Sequence, residues 1–236
     1  NDSLDGVTPV VIGTAPGQVT LTGVTVPSQL TLNTATGIIT VNPNTPSGTY
    51  TLVYEICEVN ANPINCKQAT VTIVVENALL AVADDYSATP LTSNDTTPSI
   101  VLNDSLDGVT PVVIGTAPGD VTLTGVTVPT ELTLNPDGTI TVEPNTPSGT
   151  YTVVYEICEV GATPVNCNQA TVTILVENPI VANDDDYTAT PLTSNDSTPS
   201  VLLNDTLDGV LNPTIGTTPG DVTLTGVTVP TELTLN

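Results

Sequence analysis

The sequence predicts an all-β protein, built as a tandem array of β-sandwich domains of about 101 residues. Three observations carry this prediction. The segment 1–6 returns at 103–108 and, with one Ser-to-Thr change, at 204–209. Short runs of valine, threonine, leucine and isoleucine alternate with a period of two, as strands with one buried face do. Proline and glycine, with 21 and 17 residues, separate these runs as turns do.

The length of the repeat favours whole domains over the coils of a solenoid, which repeat roughly every 20–50 residues. We expect an N-terminally truncated repeat 1 at 1–80, a complete repeat 2 at 81–180 and a C-terminally truncated repeat 3 at 181–236. A half sandwich exposes open sheet edges. The chain is therefore expected to be an excerpt of a longer array, and the alternative is that partner chains supply the missing strands.

Within repeat 2 the alternation places the strands in order. Early strands are predicted around 100–102, 112–114, 121–123, 131–134 and 139–142. The segment 135–138 reads Asn-Pro-Asp-Gly and predicts a turn, because proline presets φ and glycine accepts a positive φ.

Two longer strands follow, and each predicts one buried face. The first buried set is Tyr151, Val153, Tyr155 and Ile157; the second is Ala170, Val172, Ile174 and Val176. Seven or eight short strands with regular turns are typical of an Ig-like sandwich. Tyr151 follows Ser-Gly at the start of a late strand, which suits a tyrosine corner or an ordinary core position, and Tyr155 is expected to anchor the core.

The four cysteines form two equally spaced pairs that repeat with the unit, Cys57 with Cys66 and Cys158 with Cys167. We predict a disulfide within each pair, which closes a loop of about ten residues and contributes roughly 2–3 kcal/mol on the chain-entropy model. The rival reading is a thiolate metal site, and two thiols without histidine are a poor set for one. Disulfides indicate an extracellular or periplasmic location.

The charged residues exclude several classes of function. The chain has a net charge of −24, a single basic side chain at Lys67 and no histidine. It therefore lacks the cations that nucleic-acid binding requires and the histidine of common nucleophilic triads. No apolar run approaches the roughly 18 residues of a membrane-spanning helix. We predict no catalytic residue, no enzymatic activity and no membrane insertion.

The two junctions between repeats are acidic and are the candidate metal sites. Carboxylates at a domain junction suit Ca²⁺, which takes six to eight oxygen ligands, although no EF-hand spacing is present. The alternative is a solvated linker whose charges repel one another. No cofactor is certain, and the candidate ligands for Ca²⁺ are Glu76, Asp84, Asp85, Glu177, Asp184, Asp185 and Asp186.

Several segments resemble a known family. The opening at 185–187 and 200–209, and the later segments 134–142, 147–151 and 169–174, are similar to bacterial cadherin-like and Ig-like repeats. The variant with cysteines at 158 and 167 resembles tandem domains of large Bacteroidota surface proteins, such as gliding-motility adhesins and other cargo of the type nine secretion system. The resemblance implies a secreted, cell-surface repeat.

The resemblance also implies a modification, because that phylum O-glycosylates Asp-Ser/Thr followed by an aliphatic residue or threonine. The same triplets match the Asn-x-Ser/Thr pattern of N-glycosylation. Repetition of the unit makes these matches interdependent. The candidate O-glycosylation positions are Ser3, Thr96, Ser105, Ser197 and Thr206.

The sequence therefore predicts a non-catalytic stalk or filament segment of a bacterial cell-surface adhesin. Its partners are neighbouring repeats of the same long chain, with lateral or end-to-end self-association into fibres as a further expectation. The alternative is a carbohydrate- or surface-binding Ig-like module. All six tyrosines recur in register, which indicates packing, and the stretch 109–113 against 210–214 is the place for unit-specific contacts.

Overall fold

The described part of the chain, residues 1–235, consists of strands, turns and loops in a computed structural model. Sixteen strands and no helix occur within this range, and the sheets lie in a sandwich-like arrangement. The predicted all-β, sandwich-like class is confirmed. No helix of the described residues has the length and apolar character that a membrane span requires.

Repeat 1 contains one three-stranded antiparallel sheet and one short hairpin. The sheet has the order β1-β4-β5, and the hairpin pairs β2 with β3. The strands are β1 (Val19–Thr25), β2 (Leu30–Leu32), β3 (Ile39–Val41), β4 (Gly48–Glu58) and β5 (Cys66–Val75).

Repeat 2 has a four-stranded sheet in the order β7-β13-β12-β9, in which β7 runs parallel to β13. A short hairpin pairs β10 with β11, and β6 pairs with β8. Strand β6 (Leu79–Leu80) lies at the end of repeat 1. The strands of repeat 2 are β7 (Asp84–Asp85), β8 (Ser105–Leu106), β9 (Val121–Thr127), β10 (Leu132–Leu134), β11 (Ile140–Val142), β12 (Gly149–Glu159) and β13 (Cys167–Val176). Strand β14 (Ile180–Val181) spans the boundary between repeats 2 and 3, and repeat 3 contributes β15 (Thr206–Leu207) and β16 (Val210–Leu211).

The core of repeat 2 lies where the alternation predicts it. In β12 and β13 the alternate apolar side chains are inaccessible to solvent from Val153 and Val172 onward, while the intervening residues are only half-buried. The predicted turn at 135–138 is also confirmed. There Gly138 has a φ of 83° and its amide donates to the Asn135 carbonyl at 3.0 Å.

Two of the expected early strands are absent as strands. Residues 100–102 form a turn, in which the Ile100 side chain is fully buried and its amide donates to the Gly138 carbonyl. Residues 112–114 contribute only an isolated bridge from Ile114 to Val121. Both segments carry apolar residues because they cover the core, and alternation alone does not distinguish a core-covering turn from a strand.

The chain divides into two compact units whose limits differ from those of the repeats. Unit 1 comprises 1–81, 103–122 and 157–168, and unit 2 comprises 82–102, 123–156 and 169–236. Unit 1 thus contains repeat 1 together with the segments 103–122 and 157–168 of repeat 2, whereas 82–102, which directly follows repeat 1 in the chain, belongs to unit 2. The repeat boundaries at 80/81 and 180/181 stay a prediction.

Candidate functional site at a repeat junction

A disulfide closes the same hairpin in repeats 1 and 2. Cys57 bonds to Cys66 and Cys158 to Cys167, as the spacing predicts. Cys57 and Cys66 are directly opposite each other in the β4–β5 register. Each disulfide therefore fixes the base of the loop between two long strands.

A tyrosine holds the loop at the other end of each of these long strands. The Tyr50 hydroxyl donates to the Pro46 carbonyl, and the Tyr151 hydroxyl donates to the Pro147 carbonyl, both at 2.8 Å. A tyrosine hydroxyl bonded to the backbone a few residues upstream is a tyrosine corner. This interpretation of Tyr151 is confirmed, and the same bond in repeat 1 positions the loop 45–48.

Tyr155 anchors the core, as predicted. Its side chain is fully buried, and its hydroxyl donates to the carbonyls of Val82 at 3.2 Å and Ile100 at 3.4 Å. A buried phenol needs such partners, because an unsatisfied hydroxyl is costly in an apolar core. These bonds tie the first segment of repeat 2 to its central strand.

The most highly connected polar group of the junction is Glu159, which sequence reasoning did not single out. Glu159 is 5% exposed. Its carboxylate accepts from the Ser47 amide at 3.0 Å and the Ser47 hydroxyl at 2.7 Å. It also accepts from the side-chain amides of Asn77 at 2.5 Å and Asn166 at 2.7 Å. Four donors from two repeats, all inside unit 1, thus meet on one buried carboxylate.

The two sides of this contact are built differently. The Ser–Asn socket of repeat 1 consists of the loop Thr45–Ser47 and Asn77. The Asn77 backbone amide donates to the Ser47 hydroxyl, and the Asn77 side chain donates to the Thr45 carbonyl, both at 2.9 Å. The Glu–Asn hairpin of repeat 2 spans 159–166. Its Asn166 side chain also donates to the Asn77 carbonyl at 3.0 Å.

Backbone contacts bring the hairpin still closer to the socket. The Thr163 amide donates to the Ser47 carbonyl at 2.9 Å. Gly161, with a φ of 81°, lies so near the socket that a Cβ built there would be 3.2 Å from Pro46 Cγ. Only a residue that is small and tolerates a left-handed backbone fits this approach without adjustment.

Electrostatics favour the ionised form of Glu159. Burial alone raises the pKa of a carboxyl group, but the hydrogen bonds from Asn166, Ser47 and Asn77 outweigh it and hold the pKa of Glu159 below its ordinary value. The pKa of the nearby Tyr50 phenol is raised, mainly by burial and to a smaller extent by the negative charge of Glu159. The junction therefore contains a stable carboxylate surrounded by neutral donors.

One signal in the sequence points to Glu159. The buried face of β12 continues with a step of two from Tyr155 through Ile157 to Glu159. An acidic residue in phase with a buried face needs hydrogen-bond partners, and the recurring Asn166 is one of them. The partners Ser47 and Asn77 are more than 80 residues away in the chain, so no local pattern connects them to Glu159.

The predicted calcium ligands are distributed along the junctions. Asp84 is half-buried in β7 opposite Val172, whereas Glu76, Asp85, Glu177 and the run 184–186 are exposed. Within residues 1–235 the groups of three acidic or thiol side chains close enough to share an ion all contain a disulfide-bonded cysteine pair. Calcium binding at the acidic junctions stays a prediction.

Two of the predicted aspartates instead organise local turns. Asp85 Oδ1 accepts from the Ser87 amide, and Asp186 Oδ1 accepts from the Thr188 amide, both at 2.8 Å. Hydrogen bonds from Ser87 lower the pKa of Asp85, and those from Thr188 lower the pKa of Asp186. These are Asx turns of the kind that aspartate forms at the start of a loop.

The candidate glycosylation positions differ in accessibility. Ser3, Thr96 and Ser197 are exposed, whereas Ser105 and Thr206 are half-buried in the short strands β8 and β15. A glycan on the exposed three has room to project. Glycosylation at all five positions stays a prediction.

A cleft of about 410 Å³ lies beside the socket within unit 1. It includes Asn42, Asp107 and three residues of the stretch 109–113, namely Val109, Pro111 and Val113. Val109 and Val113 are more than half exposed. The variable stretch 109–113 therefore faces an open surface next to the junction.

No protein-family model and no curated protein matches the sequence. Among solved structures, protocadherin gamma B2 extracellular cadherin domains 3–6 align with 68% of this chain and 42% of their own, at 10% identity and a TM-score of 0.30. Chicken VE-cadherin EC1–2 aligns with 72% of this chain and 88% of its own, at 14% identity and a TM-score of 0.33.

A further similar structure is a SusE-like, surface-located polysaccharide-binding protein from the heparin utilisation locus of Bacteroides thetaiotaomicron. It aligns with 73% of this chain and 38% of its own, at 13% identity and a TM-score of 0.22. The chain thus spans less than half of this protein and of the protocadherin fragment. At these identities the likeness concerns the all-β fold alone.

Proposed function

We propose that this chain is a non-catalytic structural repeat region that forms an extended stalk or filament of a bacterial cell-surface adhesin. The observation that carries the proposal is the Glu159 junction. A buried carboxylate with four donors fixes the hairpin of repeat 2 against the loop of repeat 1, because charge-assisted hydrogen bonds are directional and strong. A spacer that must project a distant domain needs such a defined joint between its units.

Charge and covalent chemistry support the same role. A net charge of −24 on 236 residues makes the chains repel one another and an acidic cell surface, which favours an open array. The two disulfides indicate an oxidising, extracellular setting. The partners in this proposal are neighbouring repeats of the same kind, and calcium at the acidic junctions would add further stiffness to the array.

The proposal is tested by measuring how length grows with repeat number. Copies of residues 103–203 inserted after Leu203 continue the sequence in register, because Asn204 is the counterpart of Asn103. We expect the maximum dimension from small-angle scattering to increase by the same amount with each inserted copy. A dimension that grows with roughly the cube root of the mass would indicate a collapsed particle and contradict a stalk.

A carbohydrate- or surface-binding module is the second candidate, and the cleft beside the socket favours it. Asn42 and Asp107 line this cleft together with the exposed valines of the variable stretch. Amide and carboxylate groups beside apolar side chains are the combination that a small polar ligand uses. Glycan-array screening of the chain tests this candidate, with replacement of Val109 and Val113 by threonine as the variant that should abolish any signal.

A further inference from the structure

We infer that repeat 1 carries a second docking surface, the hairpin 58–65, and that its partner is the Ser–Asn socket of another repeat of this kind. The inference rests on the proposed array and adds which residues form its next joint. Glu58 and Asn65 are the counterparts of Glu159 and Asn166. In the structure Glu159 is buried and Asn166 half-buried against a socket, whereas Glu58 is half-buried and Asn65 is exposed.

The first hairpin has the shape of the docked one before any partner covers it. Asn65 donates its side-chain amide to Glu58 Oε2 at 2.8 Å, against 2.7 Å for the pair at Asn166 and Glu159. The Glu58 amide donates to the Asn65 carbonyl at 2.9 Å, as the Glu159 amide does to the Asn166 carbonyl. The surface is therefore preorganised, which lowers the entropic cost of docking.

The carboxylate of Glu58 has unused capacity to accept hydrogen bonds. Within residues 1–235 it accepts one hydrogen bond, from Asn65, whereas Glu159 accepts four. The three additional donors at Glu159 all come from the socket, namely the Ser47 amide, the Ser47 hydroxyl and the Asn77 side chain. The partner that satisfies Glu58 in the same way must present a backbone N–H, a hydroxyl and a side-chain amide together.

The socket also forms without a hairpin in it, which identifies the kind of partner. In repeat 2 the Asn178 amide donates to the Ser148 hydroxyl at 2.9 Å, and the Asn178 side chain donates to the Thr146 carbonyl at 2.6 Å. These are the bonds of Asn77, Ser47 and Thr45, yet Ser148 is exposed and Ser47 is buried. The socket is thus a stable feature of the end of a repeat, and its neutral donors are complementary to the carboxylate of Glu58 in hydrogen bonding.

The test extends the chain at its N-terminal side. A copy of residues 1–102 placed before Asn1 continues the sequence in register, because Asn1 is the counterpart of Asn103. The added copy brings its own socket to the hairpin 58–65 of the original chain. The variants are E58Q in the original part, S47A in the added copy and both together, each measured by thermal unfolding and by hydrogen exchange of the added Ser47 amide.

In the extended chain we expect E58Q to lower the unfolding midpoint by about 5 °C and to accelerate exchange of the added Ser47 amide at least tenfold. In the chain of 236 residues, E58Q should shift the midpoint by less than about 1 °C. The double variant should lose less than the sum of the single variants, because Glu58 and the added Ser47 form one contact.

Equal effects of E58Q in the two chains, or strict additivity of E58Q and S47A, would overturn the inference. Hydrogen exchange keeps the test decisive if a variant unfolds too broadly for a midpoint, because the amide reports on the contact itself. The length series tests the stalk separately. If the maximum dimension grows linearly with repeat number while E58Q has no effect in the extended chain, the stalk is retained and this joint is rejected.

Discussion

Glu58 and Glu159 occupy the same position in successive repeats and have different environments. Both end a long strand, and both accept a hydrogen bond from an asparagine seven residues later in the chain. Glu159 is 5% exposed and accepts three further bonds from repeat 1, whereas Glu58 is only half-buried. The difference arises from the neighbouring repeat, since the hairpins themselves have the same geometry.

The socket shows the same dependence on a neighbour, and the core tyrosines of the two repeats also differ in their partners. Ser47 is buried beneath the hairpin of repeat 2, and its counterpart Ser148 is exposed. Tyr155 donates to carbonyls of its own repeat, while its counterpart Tyr54 donates to the Asp2 carboxylate at 2.6 Å, which raises the pKa of Tyr54 to about 12. The polar groups at this end of a repeat therefore have partners within their own repeat, and the neighbouring repeat adds further partners where it covers them.

The largest expected effect is the contrast between E159Q and E58Q. Glutamine retains the shape of glutamate, but it removes the charge and replaces one carboxylate oxygen, the acceptor of either the Asn77 or the Asn166 amide, by an NH2 donor. Disrupting a buried, hydrogen-bonded charge of this kind costs about 3 kcal/mol. We expect E159Q to reduce the free energy of unfolding of unit 1 by that amount in urea denaturation.

E58Q is the matched control, because it makes the same chemical change at a half-exposed carboxylate with one partner. Its cost should stay below about 1 kcal/mol. Similar losses for the two variants would mean that the hairpin, and not the junction, accounts for the stability at this position.

Removal of the disulfides tests whether the hairpin transmits its rigidity to the junction. Replacing Cys57 and Cys66 by alanine should cost about 2–3 kcal/mol on the chain-entropy model. The same change at Cys158 and Cys167 should cost more, because it also loosens Glu159 relative to Asn166. Unfolding of the two double variants by urea gives the comparison, and an equal loss would show that the junction does not depend on its disulfide.

Much of the fold follows from local patterns in the sequence. Alternation identifies both long strands and the buried side chains within them, and the repeated spacing identifies the disulfide pairs. The tyrosine corner is recognisable because its two partners lie four residues apart. Each of these features is determined by residues that are close in the chain or that recur with the repeat.

The junction could not be predicted in the same way. Glu159 is in phase with a buried face, but its donors Ser47 and Asn77 belong to another repeat. They become its partners only when the Glu–Asn hairpin of repeat 2 contacts the Ser–Asn socket of repeat 1. The turn at 100–102 was wrongly expected to be a strand for a related reason. Its apolar residues indicate that the segment is buried against the core. Its backbone conformation instead depends on the hydrogen bond that the Ile100 amide donates to the Gly138 carbonyl.

The pH dependence of stability should separate wild type from E159Q. The pKa of Glu159 is lower in the folded protein than its ordinary value, so its ionised form contributes stability above about pH 4.5. This contribution decreases as the pH falls through the folded pKa. The adjacent Tyr50 does not titrate in this range, because its pKa is raised from that of an ordinary phenol.

The free-energy difference between wild type and E159Q should therefore be constant from pH 7 to about pH 5 and become smaller in more acidic solution. Urea titrations at a series of pH values measure it, and the subtraction cancels the remaining carboxylates. A difference that stays unchanged to pH 3 would show that Glu159 does not stabilise the junction through its charge.

The smallest expected effect concerns the close approach of Gly161 to Pro46. Repeat 1 has Asn60 at this position, with a φ of 62°, so asparagine tolerates the backbone conformation that Gly161 adopts. G161N therefore tests the space alone, since its Cβ would lie 3.2 Å from Pro46 Cγ and the loop must yield by a few tenths of an ångström. We expect a cost of about 1 kcal/mol in urea unfolding. Asn60 is exposed, and the reverse change, N60G, should lack the corresponding gain. A gain as large as the loss in G161N would attribute both effects to the backbone and not to the junction.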